Sequence, residues 1–124
     1  MFTYSQATGE LFQDGKLIGT GYSGRNIPDG PQGRNNPGLE SVRDVGPIPR
    51  GLYTIDDPVS VPNHAFPVFA LIPHGQPPYG RTGFLIHGNN VQNDASRGCI
   101  ILDFPARTAV EEALQNDREL EVIE

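Results

Sequence analysis

Cys99 is the only cysteine in the 124-residue chain, and it closes the run Ser96-Arg97-Gly98-Cys99. Eleven residues separate it from His87, which ends the apolar run Phe84-Leu85-Ile86. A free thiol titrates near ~8.5 and attacks only as its thiolate, so a nucleophilic cysteine needs a neighbour to take its proton. An imidazole within hydrogen-bond reach does this, forming a thiolate–imidazolium pair. Gly98 permits a tight turn and close approach of substrate, and the amides of Gly98 and Cys99 are candidate donors to an oxyanion. By residue type alone the same two side chains also read as inert. A lone Cys before Ile100-Ile101-Leu102 is commonly a small buried hydrophobe, and His87 fits a core histidine bonded to a carbonyl. No pair among His64, His74, His87 and Cys99 has a common ligand spacing, so neither a metal nor another cofactor is expected.

If His87 and Cys99 meet, the elements around them must be strand ends. Phe84 to Ile86 reads as a short buried strand that delivers His87, and Cys99 to Leu102 as a second one following the Ser-Arg-Gly turn. Upstream, Phe2 to Ser5, Glu10 to Gln13 and Lys16 to Thr20 alternate as strands, with Asp14-Gly15 as a two-residue hairpin signal. Gly19 to Gly24 breaks regular structure. Arg25 to Val45 lacks an apolar pattern, and a loop this long in a small domain is expected to form a wall or lid over a cleft, or else a surface excursion. Leu52 to Ile55 is a further strand, as is Phe66 to Ile72, with Pro67 placing its start at an edge. The one helix begins near Asp103 as N-cap, has Pro105 in its first turn, and buries Val110, Ala113 and Leu114. It ends around Asn116-Asp117, and Glu119 to Ile123 alternates as a last strand. His64 and His74 lie in Pro-rich loops and read as surface histidines.

Apolar residues make up 36%, and there are 15 Gly and 12 Pro, which points to a small core with extensive loops. Residues 1–124 read as a single domain, mainly β, with one α-helix near the C-terminus. A net charge of -6 argues against a sequence-independent nucleic-acid binder. No run of about 18 apolar residues exists, so no membrane span is expected. The first residues carry no basic or apolar signal region, so the chain is expected to be made in the cytoplasm and to need another export route. A single cysteine allows no internal disulfide.

The segments Gly46-Pro-Ile-Pro-Arg-Gly51-Leu-Tyr-Thr-Ile55, Ile86-His87-Gly88 and Ser96-Arg97-Gly98-Cys99-Ile100 together resemble the L,D-transpeptidase (YkuD-like) catalytic domain. With Gly19 to Gly24 and Asn35-Asn36-Pro37, they are most similar to the small L,D-transpeptidase-like effector toxins of the type VI secretion system. The resemblance implies a compact β-sandwich or barrel in which Cys99 is the nucleophile and His87 the general base. Gly88 follows the base as in the family, and Ser96 and Gly98 match the turn before the nucleophile. The family pattern has His where Arg97 stands, and Asn where Ile101 stands, and its His–Cys loop is longer. Arg97 stays protonated and cannot be a base; binding the thiolate, binding a substrate carboxylate and facing solvent are all open to it.

The implied activity is peptidoglycan modification through a Cys99 thioester on tetrapeptide stems, resolved by water (L,D-carboxypeptidase) or by an amine (exchange or cross-linking). Arg97, Arg81, Gly88, Tyr22 and Asn36 are the expected substrate-binding residues. The implied setting is antibacterial: a secreted monomer acting in the periplasm of a target bacterium, with the stem peptide, secretion-system components and a periplasmic immunity protein as partners. A non-catalytic cell-wall-binding β module that has kept the motif is the alternative. A papain-like peptidase fits worse, because there the Cys precedes the His.

Overall fold

A computed structural model describes residues 1–124. In chain order its strands are β1 (Phe2–Ser5), β2 (Glu10–Gln13), β3 (Lys16–Thr20), β4 (Tyr22–Ser23), β5 (Gly51–Ile55), β6 (Phe69–Pro73), β7 (Leu85–His87), β8 (Ile100–Ile101) and β9 (Glu119–Ile123). The single helix α1 (Phe104–Ala113) lies between β8 and β9. The nine strands form one sheet in the order β3-β2-β1-β9-β5-β6-β7-β8-β4. Its two edge strands, β3 and β4, are separated in sequence only by Gly21, so the sheet curls into a nearly closed barrel. The mainly β reading with one C-terminal helix is therefore what the chain adopts. No helix is long and apolar enough to cross a membrane.

Local chemistry accounts for most of the elements. Asp14 and Gly15 take positive φ of 49° and 83°, as a tight β2–β3 hairpin requires. Asp103 caps α1 by accepting from the Ala106 amide at 2.9 Å. From α1, Ala106, Val110 and Leu114 pack into a core shared with Phe2, Tyr4, Tyr53, Phe69, Ile86 and Ile100. The helix ends at Ala113, three residues before the expected stop.

Two expectations need correction. Gly19 to Gly24 does not break regular structure: β3 runs through Gly19 and Thr20, and Tyr22–Ser23 pair antiparallel with Ile101 and Ile100. Glycine is demanded here by proximity, because a Cβ on Gly21 would collide with the Ile101 carbonyl. The strand expected from Phe66 begins only at Phe69. Pro67 has no N–H to give a ladder, and only the isolated Val59–Val68 bridge precedes the strand.

The stretch from Arg25 to Val45 is held in place by a buried carboxylate. Glu40 accepts from Gln6 Nε2 (2.9 Å), Tyr79 OH (2.9 Å), the Arg50 amide (3.0 Å) and the Arg50 guanidinium (2.7 Å). Burial alone would raise its pKa, but the bonds from Arg50, Gln6 and Tyr79 outweigh that and hold the carboxyl at about 2. Its contribution to stability is complete at neutral pH, begins to fall below the ordinary carboxylate pKa of about 4.3, and is gone below about pH 2. Glu40→Gln is expected to cost about 2 kcal/mol at pH 7. Urea titrations from pH 7 to pH 2 should show the variant losing less stability on acidification than the wild type.

Candidate functional site

β7 and β8 run parallel, with Ile86 opposite Ile100 and His87 opposite Ile101. Ile86 and Ile100 are fully buried in the core, so the side chains flanking them in sequence point to the other face. That alternation puts His87 from β7 and Cys99, just before β8, on one face of adjacent strands. Cys99 stands level with Leu85, whose amide donates to Cys99 Sγ at 3.3 Å. The register sets Cys99 level with Leu85 and His87 level with Ile101, so the pair expected from the sequence stands on neighbouring strands, two positions apart along the ladder.

His87 is 3% exposed, and its Nδ1 lies 2.8 Å from the Gly88 carbonyl. A carbonyl only accepts, so Nδ1 carries the proton and Nε2 keeps the lone pair. Burial pushes the His87 pKa down; the Gly88 bond works against this, and the His64 and Arg107 charges add to it. Burial pushes the Cys99 thiol up, with the Leu85 amide and the Arg81 charge as partial offsets. Cys99 Sγ and His87 make no hydrogen bond to each other. The resting pair is therefore a neutral thiol and a neutral imidazole, not the preformed ion pair the sequence suggests.

The turn before Cys99 is over-determined. Ser96 Oγ donates to the Cys99 carbonyl (2.6 Å) and accepts from the Gly24 (2.8 Å) and Gly98 (3.1 Å) amides. Ser23 Oγ donates to the Gly98 carbonyl (3.0 Å) and accepts from the Ile48 amide (2.8 Å). Gly98 has a φ of 133°, and a Cβ there would sit 2.7 Å from Arg81 Nη2 and 2.9 Å from the Phe84 ring. Arg81 is buried, and its guanidinium donates to the carbonyls of Glu40, Gly46, Pro47 and Arg97. These bonds make it a clamp between the Arg25–Val45 stretch and the Ser96–Cys99 turn.

The other end of the segment is built the same way. Buried Arg107 donates to Leu102 O (2.7 Å) and Pro67 O (3.1 Å), and a Cβ on Gly88 would come within 2.7 Å of its Nη1. Gly88 thus makes room for Arg107. Tyr22 OH donates to Asn89 (2.6 Å) and accepts from the Ala95 amide (2.8 Å), with Arg34 stacked 3.6 Å over its ring. It pins the His–Cys loop from outside the Cys99 cleft. Asn36 caps the short 3-10 turn Pro37–Leu39 and likewise does not line that cleft.

A cleft of about 380 Å³ opens beside Cys99, lined by Arg43, Asp44, Arg81, Thr82, Gly83, Phe84 and Arg97. A second hollow of about 240 Å³ lies beyond His87, lined by Asn63, His64, Ala65, Gly88, Asn89, Asn90 and Ala95. His64 is exposed, as expected, but its ring sits 4.5 Å from that of His87. His74 is also exposed and faces Glu119 at 3.1 Å. Arg43, Arg107 and the approach of His64 to His87 escaped the sequence reading, since Arg43, Arg107 and His64 lie in no motif or apolar pattern.

The family model of the Tlde1 domain matches residues 19–124. No curated protein matches the chain.

Two measurements follow from this geometry. The rate of Cys99 alkylation by iodoacetamide is expected to rise with pH through a midpoint above the ordinary thiol value of ~8.5, and His87→Ala should barely move it. Ser96→Ala leaves two buried amides without an acceptor and is expected to cost about 2–4 kcal/mol in denaturant titrations.

Proposed function

Because the chain belongs to the Tlde1 domain family of type VI secretion effectors, we propose that it is a cysteine enzyme that modifies peptidoglycan stem peptides. The observation that carries this reading is the arrangement of His87 and Cys99. They share one face of adjacent parallel strands, with Nδ1 of the imidazole tied to a carbonyl and Nε2 left as base.

In the proposed reaction Cys99 Sγ attacks the carbonyl of the L-centre that precedes the terminal D-alanine of a tetrapeptide stem. His87 Nε2 takes the thiol proton as the S–C bond forms. The Gly98 amide is already spent on Ser96, so the Cys99 amide is the donor from this turn to the oxyanion. Collapse of the tetrahedral intermediate breaks the C–N bond, and the imidazolium returns its proton to the departing D-alanine amine. A thioester remains on Cys99. Water attacking it, with His87 again as base, gives L,D-carboxypeptidase products; an amine gives exchange or a cross-link. Ser96 and Gly98 set the angle at which Cys99 is presented. An effector acting this way works in the periplasm of a target bacterium, and its producer needs an immunity protein there.

One observation favours a second reading, a non-catalytic cell-wall-binding β module: Cys99 Sγ is bonded to the Leu85 amide and His87 Nδ1 to the Gly88 carbonyl, not to each other. Digestion of purified peptidoglycan separates the two. Mass spectra of wild-type digests are expected to show loss or exchange of D-alanine, absent with Cys99→Ala. His87→Ala should slow the reaction by about 10²–10⁴-fold. Digests in which wild type and Cys99→Ala are indistinguishable would leave the binding module as the function.

A further inference from the structure

The Cys99 cleft and the His64 hollow differ in charge, and the strand register orients them. Thr82, Gly83 and Phe84 lead into β7 at the end where Cys99 precedes β8. His87 stands at the opposite end of β7, followed by Gly88 and the hollow of neutral polar side chains around Asn63, Asn89 and Asn90. A chain lying across Cys99 therefore has one flank in the arginine-lined cleft and the other over His87.

Resting on the reaction proposed above, we infer that the arginine-lined cleft is an acyl-side carboxylate subsite, with Arg43 and Arg97 as its cations. His87 has to protonate the departing amine, so the leaving residue occupies the His87 flank. The acyl donor is then the part that enters the cleft. Of the nine Lys and Arg in this acidic chain, five arginines are already engaged. Arg34 holds Asn93, Arg50 holds Glu40, Arg118 holds Asp57, and Arg81 and Arg107 hold carbonyls. Arg43 and Arg97 are exposed, their guanidinium groups make no hydrogen bond or ion pair, and, unlike Arg25 and Lys16, they line the same cleft as Cys99. Two free guanidinium groups suit the planar, two-oxygen geometry of a carboxylate. Asp44 lines the cleft as well without pairing to either arginine, and tempers their field. The donor this cleft accepts carries a free carboxylate on, or next to, the residue whose carbonyl is attacked; a carboxamide there is a poorer substrate.

The test has two arms, because Cys99 is the only thiol and reports on the cleft without turnover. In the first, Cys99 is alkylated by anionic iodoacetate and by neutral iodoacetamide, and the rate ratio is normalised to N-acetylcysteine amide. The wild-type ratio is expected to exceed the reference about fivefold or more at low salt and to fall with added salt. Arg43→Gln/Arg97→Gln should bring it to the reference value, Asp44→Asn should raise it, and the charge control Lys16→Gln on the β2–β3 hairpin should leave it unchanged. In the second arm, stem tetrapeptides bearing a carboxylate or a carboxamide on the diamino acid are compared. The carboxylate form is expected to have a kcat/KM about tenfold higher, a preference lost in the double arginine variant. A wild-type alkylation ratio at the reference value, or equal turnover of the two peptides, overturns the subsite. An anion preference with no turnover of either peptide upholds the cationic cleft and overturns the proposed reaction instead.

Discussion

Irregular backbone buried beside His87 and Cys99 leaves carbonyl oxygens that need donors, and here two buried guanidinium groups meet that demand. Arg81 gathers the carbonyls of Glu40, Gly46, Pro47 and Arg97 at the cysteine end. Arg107 gathers those of Leu102 and Pro67 at the histidine end. Burial lowers the pKa of both, yet a guanidinium starts so high that it stays charged. Each therefore places a permanent positive charge near the site without an acidic partner. The glycines at 98 and 88 follow from this arrangement, because each leaves space for one guanidinium that a methyl group would take.

This scaffold explains how a small β domain holds His87 and Cys99 on one face of neighbouring strands. Strands β7 and β8 have only three and two residues, too few to fix their own alignment. Alignment is imposed from outside by Ser23 and Ser96, which exchange bonds between the β4 region and the Ser96–Cys99 turn, and by the Leu102 amide on the His87 carbonyl at 3.0 Å. The Arg25–Val45 stretch is part of the same frame. It is a wall secured through Glu40, and it carries Arg43 and Asp44 to the cleft.

Local signals made much of this legible in the sequence. The Asp14-Gly15 turn, the Asp103 cap and the alternation of Glu119 to Ile123 each act within a few residues, and each appears where expected. Phe84 to His87 and Cys99 to Leu102 were readable as apolar runs around chemically distinct residues. Strand β4 was hidden because Tyr22-Ser23 is too short to show alternation and sits among glycines, one of which, Gly21, serves a close approach to Ile101 eighty residues away. Arg81 and Arg107 were illegible as clamps for a related reason. An arginine that serves carbonyls has no complementary residue type to mark its partner, so its burial appears only when the chain is folded. His64 met His87 through a Pro-rich loop whose path no periodicity describes.

The bonds that shape the Ser96–Cys99 turn also tie it to distant parts of the chain. Gly24 reaches Ser96 across 72 positions of chain, and Ser23 reaches Gly98 across 75. Contacts of such separation require most of the loop-closure entropy to be met before they form. The Asp14-Gly15 hairpin and the α1 cap, being local, have no such requirement. The turn that presents Cys99 accordingly depends on the far side of the chain for half of its anchoring, and a chain folded only in its local elements lacks the bonds from Gly24 and Ser23.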